Sequence, residues 1–196
     1  MVFLSPVGSY FKGGVKPLNL KVELDYHRAA PRGIGNAKAI GNYSASLYPL
    51  MKAKKEGFDE VIYLDSKNED RIEELGSANL FIVKDGVIRT PKLSGSILDG
   101  VTRNSVCKIA SEILKLQVEE NDINIKELVE ADEVFCTGTA VVVAPVGKIT
   151  YKDTVHEINQ NQPGPIASEC KNLLTAIQRQ EIKDPFGWIE PVIESN

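Results

Sequence analysis

Pro31 to Tyr43 reads PRGIGNAKAIGNY, a glycine-rich run between a strand-like segment and a helical one. Backbone amides cradle phosphates in such settings, and two widespread nucleotide-binding loops use it. Neither accepts this stretch. A Walker loop needs glycine, lysine and then a hydroxyl for Mg²⁺, but Lys38 stands between Ala37 and Ala39. A dinucleotide loop needs glycine where Lys38 is, so that pyrophosphate and helix can approach. Two readings of Lys38 remain. It is a solvated surface lysine, or it is an amine that attacks an aldehyde cofactor and must be partly desolvated to be neutral.

The flanks are consistent with a mixed α/β chain. Upstream, in LNLKVELDYHRAA (residues 18–30), Leu20, Val22 and Leu24 alternate with polar residues, which predicts a strand. Downstream, Tyr43, Leu47, Leu50 and Met51 share one face of a helix expected from Asn42 to Gly57. EVIYLDS (60–66) is a short strand, and SANLFIVKDGVIRTP is a hairpin turning at Lys84-Asp85-Gly86. A helix from Thr102 to Leu114, a strand within Gln117–Asp122 and a helix capped by Asn124 follow. EVFCTGTAVVVAPVGKITY (133–151) predicts two buried strands broken around Thr137-Gly138-Thr139, and Pro163-Gly164-Pro165 opens a last helix. Residues 1–18, with Pro6, Gly8, Gly13, Gly14 and Pro17, read as a linker into a domain over 19–196.

Bulk properties exclude several classes. The 196 residues are 42% hydrophobic and 26% charged, ordinary for one globular domain. A formal net charge of -4 argues against a nucleic-acid surface. Cys107, Cys136 and Cys170 are odd in number and far apart, so they read as reduced thiols. With only His27 and His156 besides, there is no zinc-ligand spacing and no metal is expected. No apolar run is long enough to span a membrane, and the first residues do not form a signal peptide. The expected compartment is the cytoplasm, or an organelle if the source is a eukaryote.

A nucleophilic lysine needs further groups around it. An acid must keep a pyridine nitrogen protonated, and amides must take a phosphate. Glu74 in RIEELGSANLF offers the acid, with Glu73 beside it as competitor. Gly100-Val101-Thr102, where a helix begins, and Thr137-Gly138-Thr139-Ala140, where an apolar strand is interrupted, offer anion sites.

Together KAIGNYSASL, EELGSANLF, ILDGVTR and EVFCTGTAVVVAPVG resemble the pyridoxal-phosphate enzymes of fold type IV, specifically the branched-chain amino acid aminotransferases. The resemblance runs from about Phe3 to Trp188, and the last motif, EVFCTGTAVVVAPVG, is especially like the plant and related bacterial forms. It implies a mixed-sheet pseudo-barrel, the large domain of that fold, and pyridoxal 5'-phosphate as cofactor. It implies transamination of leucine, isoleucine or valine with 2-oxoglutarate, by a homodimer that binds small molecules and neither nucleic acid nor membrane. Lys38 becomes the Schiff-base lysine and the base that moves the substrate Cα proton. Tyr43 becomes the partner of the cofactor's phenolic oxygen, and it also lies on the substrate side. The spacing to Gly76 and Asn79 selects Glu74 for the ring nitrogen, since Glu73 would face the other way on a strand. Leu98 becomes the packing residue on one ring face. Val101, Thr102 and Thr139 become phosphate ligands, the Thr139 and Ala140 amides face the substrate carboxylate, and Arg28 gives support near the cofactor.

Two departures from the family pattern stand out. Arg32 replaces a glycine of the loop, and Val141 and Ala144 stand where some animal members carry a redox Cys-x-x-Cys. The family's smaller N-terminal domain is expected to be absent from this chain, with weakened activity as the consequence. The rival readings are a D-amino acid aminotransferase or aminodeoxychorismate lyase of the same fold, against which G-N-Y and TGTAVVV argue, and a non-catalytic remnant.

Overall fold

The computed structural model describes residues 16–190, so the linker reading of residues 1–18 falls almost wholly outside the described residues. Among these residues nine strands form one mixed sheet curled into a half-barrel. β1 (Leu18–Val22) lies between β2 (Glu60–Leu64) and β8 (Val142–Tyr151), parallel to both. The path then runs from β8 through β7 (Glu133–Gly138), β4 (Asn79–Lys84) and β5 (Val87–Pro91) to β6 (Val118–Asn121). On the far side of β2 lies β3 (Ile72–Leu75), and β9 (Thr154–Glu157) pairs back onto β8.

Both faces of the central strands are buried, which is why they read as near-continuous apolar runs rather than alternating ones. Leu80 and Ile82 of β4 join Val134, Cys136, Ala144 and Val146 on the inner face. Phe81 and Val83 turn the other way, with Phe135, toward α2 (Val101–Lys108) and α4 (Pro165–Gln178). The Phe81 and Phe135 rings stack with centroids 4.9 Å apart. The hairpin turns at Asp85 and Gly86, both left-handed, which matches the twist of the flanking strands. α3 (Ile125–Val129) starts at Asn124, whose side chain and that of Glu127 cap each other's backbone amides. At α4 the buried Glu133 carboxylate accepts from the Ile166 and Ala167 amides, both at 3.1 Å.

Four expectations are corrected. β1 ends at Val22, well short of Ala30. Glu23 then accepts from the Asp25 amide, a local turn that competes with the ladder, and Leu24 is exposed. α1 (Ile40–Lys55) starts two residues before Asn42, and its packed face is not the one carrying large side chains. Ser46, Pro49 and Ala53 are buried, whereas Leu47 is 54% and Met51 53% exposed. Small residues let the helix sit close on β2, where Val61 and Tyr63 pack and the Tyr63 hydroxyl donates to the Ser46 carbonyl at 3.1 Å. α2 is not uniform through Leu114 but continues as a π-helix over Ile109–Ile113. β9, short and mostly exposed, gave no sequence signal.

Candidate active site

The ends of β3, β4 and β7 open onto a cavity of about 380 Å³. The loop before α1 and the segment before α2 close its sides. Its size is ordinary for a small-molecule site.

Lys38 comes from the glycine-rich loop. That loop is held by its own turns, Gly33 N–H to the Ala30 carbonyl at 3.0 Å and Ala37 N–H to the Ile34 carbonyl at 2.9 Å. Asn42 secures it further, donating its side-chain amide to the Ile34 carbonyl at 2.7 Å and the Ala37 carbonyl at 2.8 Å. Lys38 itself is exposed at the cavity's edge, so the desolvation expected of it is not supplied by the described residues. Tyr43, one turn into α1, lines the same space and is half-buried. Arg32, the departure from glycine, has φ +65, a left-handed conformation that glycine adopts freely and arginine does not.

Opposite stands Glu74, 4% exposed, within β3. One of its oxygens pairs with Arg28 at 2.7 Å and accepts from the Leu98 amide at 3.1 Å; the other accepts from Asn79 at 2.9 Å. Burial pushes this carboxyl up to about 7; Arg28 and the Leu98 amide pull it back, and the neighbouring Glu73 adds to the rise. Glu73 is buried as well, also raised by burial, but does not line the cavity. Asn79 also donates to the Leu98 carbonyl at 2.8 Å, so it ties Glu74 to the segment leading into α2.

α2 begins at Gly100 with no side-chain cap, and Gly100, Val101 and Thr102 all line the cavity. Uncapped first-turn amides make an anion site. A Cβ at Gly100 would collide with Asn79 Oδ1, so only glycine allows this approach. The far wall is Thr137, Gly138 and Thr139 at the end of β7. The Thr137 hydroxyl is fully buried and has no hydrogen-bond partner among the described residues. Ala140 stands outside the lining. Asn42, Ser77 and Asp99 line the cavity without having been singled out from sequence. Of these, Asn42 had a signal in the G-N-Y motif.

The cavity thus sets an amine and a phenol on one side, a buried carboxylate on another and open backbone donors on a third. This suits a ring-bearing molecule with an anionic tail. Among the described residues no group of three or more His, Cys, Asp or Glu could hold a metal, and no helix is long and apolar enough to cross a membrane.

Known proteins share this arrangement of chain. Branched-chain-amino-acid aminotransferase 5, chloroplastic, of Arabidopsis thaliana is 47% identical over 188 residues, which are 96% of this chain and 45% of that protein. The chain spans about half the length of the curated relatives it matches. The crystal structure of the Escherichia coli branched-chain amino acid aminotransferase superposes with a TM-score of 0.84 at 34% identity, over 94% of this chain and 59% of that one. The T.th. branched-chain amino acid aminotransferase complexed with N-(5'-phosphopyridoxyl)-L-glutamate superposes with a TM-score of 0.79 at 34% identity, over 89% of this chain and 55% of that one. The family model for amino-transferase class IV matches residues 13–149, which include all the described residues that line the cavity. The chain belongs to the class IV aminotransferases.

Proposed function

We propose that this chain forms the cofactor-binding part of a transaminase that moves the α-amino group of leucine, isoleucine or valine to 2-oxoglutarate, using pyridoxal 5'-phosphate. The observation that carries this reading is the convergence of Lys38, Tyr43, Glu74 and the open start of α2 on one cavity. The relatives' names supply the substrate class, and the phosphopyridoxyl-glutamate bound to the T.th. enzyme supplies the cofactor and the second amino acid.

The residues fit that group. The Val101 and Thr102 amides, with the Thr102 and Thr139 hydroxyls, would take the phosphate. The partnerless Thr137 hydroxyl in the cavity wall leaves a further donor for it. Glu74 would hold the ring nitrogen protonated, Tyr43 would face the phenolic oxygen and Leu98 would cover one ring face. Arg28 keeps Glu74 oriented. When bound, the cofactor supplies an aldehyde that takes up the amino group and a protonated ring that accepts electrons from the substrate Cα. The Lys38 amine would hold the aldehyde and would serve as the base at the substrate Cα. The Thr139 and Ala140 amides would orient the substrate carboxylate beside Tyr43.

A neutral amine needs water kept away. Ile40, Leu47, Tyr48 and Met51 along α1, and Val101 at the start of α2, are large apolar side chains left exposed. A second copy of the chain covering them, in a homodimer, would supply that exclusion. The same reading places the protein in a cytoplasm, or in an organelle of a eukaryotic source. The test is to incubate the chain with pyridoxal phosphate, reduce it with borohydride and map the labelled peptide by mass. Label is expected on Lys38 and absent from Lys38→Ala. Label on a different lysine overturns the assignment.

A further inference from the structure

Glu73 has no part in the site just described, yet it is 2% exposed. Burying a carboxylate is costly unless something is gained by its position. One Glu73 oxygen accepts a hydrogen bond from the Ser96 hydroxyl, and the other has no partner among the described residues. Ser96 in turn is where three parts of the site meet. Its carbonyl accepts from the same Arg28 nitrogen that pairs with Glu74. Its hydroxyl lies 2.8 Å from that of Ser94, within hydrogen-bond reach. Gly35 of the lysine loop rests directly on it: a Cβ at Gly35 would collide with the Ser96 carbonyl oxygen and come within 2.8 Å of its Cα. Two residues on, the Leu98 amide is bound to Glu74.

We propose that Glu73 is a positioning residue, which through Ser96 latches the segment 94–98 under the lysine loop and so sets Lys38 in register with Glu74. The proposal rests on Lys38 being the cofactor lysine. Without the latch, Ser96 loses its anchor to β3 while Gly35 still leans on it, and the loop and segment loosen together. Glutamine at position 73 keeps an acceptor oxygen for the Ser96 hydroxyl, whereas alanine does not.

The test uses the full chain with Glu73→Ala, Ser96→Ala and Glu73→Gln. Amide hydrogen exchange is followed in the cofactor-free protein, alongside the rate at which pyridoxal phosphate becomes fixable by borohydride on Lys38. Exchange in residues 30–39 and 94–98 is expected to quicken by about tenfold in both alanine variants, with β4 unchanged. Attachment at Lys38 is expected to slow by a similar factor, and Glu73→Gln to restore both. Faster exchange spread evenly over the core would mark Glu73 as merely stabilising and overturn the proposal, as would unchanged exchange in the two segments. If Glu73→Ala does not fold, Ser96→Ala carries the same comparison. Localised exchange in a chain whose wild type takes label elsewhere than Lys38 overturns the function reading, and the positioning role with it, while the latch itself stands.

Discussion

Replacing Glu74 with glutamine should change how the stability of the cofactor-free chain depends on pH. The Glu74 carboxyl is raised from its ordinary 4.5 to about 7 in the folded protein, chiefly by burial. Between those values the folded protein keeps a proton that the unfolded chain has released. The stability this group contributes is therefore full below the lower value and is lost as pH rises through the window. Each pH step costs about 1.4 kcal/mol, so the loss amounts to roughly 3 kcal/mol in all. Glutamine has no such proton. Glu60, also raised by burial, is present in both proteins and cancels in the comparison, whereas the charge on Glu73 adds to the rise at Glu74 and so belongs to the same step. Urea unfolding at about pH 5, 6, 7 and 8, followed by the fluorescence of the single tryptophan, gives both curves. The stability of wild type minus that of Glu74→Gln should fall from pH 5 to about 7 and level off by pH 8. Saturating pyridoxal phosphate should flatten the wild-type curve, because a protonated ring beside the carboxylate draws its pKa back down. A difference that stays level, or one that rises with pH, would refute the reasoning.

Other substitutions probe separate parts of the structure. Arg32→Gly relieves a left-handed residue and should raise stability by about 1 kcal/mol, read as a higher denaturant midpoint at unchanged slope. Glu133→Ala removes the acceptor of two α4 amides and should cost about 1–2 kcal/mol by the same measurement. Gly100→Ala would drive a methyl into Asn79, which holds both Glu74 and Leu98. Cofactor affinity by fluorescence titration should then fall by about tenfold or more. An unchanged affinity would mean that α2 does not approach the ligand there.

The residues that share the cavity could be picked out in the sequence because they sit in short, ordered motifs. Lys38, Tyr43, Glu74, Thr102 and Thr139 are each fixed by near neighbours, and the structure gathers them around one space. Packing was harder to read. A periodic row of large apolar residues marked Tyr43, Leu47 and Met51 as a buried face, but close approach of a helix to a sheet favours small side chains, and Ser46, Pro49 and Ala53 took that role. Alternation correctly turned Glu73 away from Glu74, yet could not indicate that both sides of β3 are buried. Ser96 left no trace at all, since a serine in a loop carries no periodicity and its three contacts come from distant parts of the chain.

β1 has a consequence for how the molecule is assembled. Leu20 pairs with Glu60 on one side and with Ile149 on the other, well over half the chain away. During synthesis the strand therefore waits with one edge bare until β8 has emerged. Pairing over such a separation is slow to find beside the local hairpin of β4 and β5. The loop bearing Lys38 follows β1, and the opposite wall of the cavity is the end of β7, which pairs with β4 on one side and β8 on the other. A nascent chain that stops before Val142 already holds the described residues that line the cavity, but the strand that joins β1 to β7 behind them is still to come.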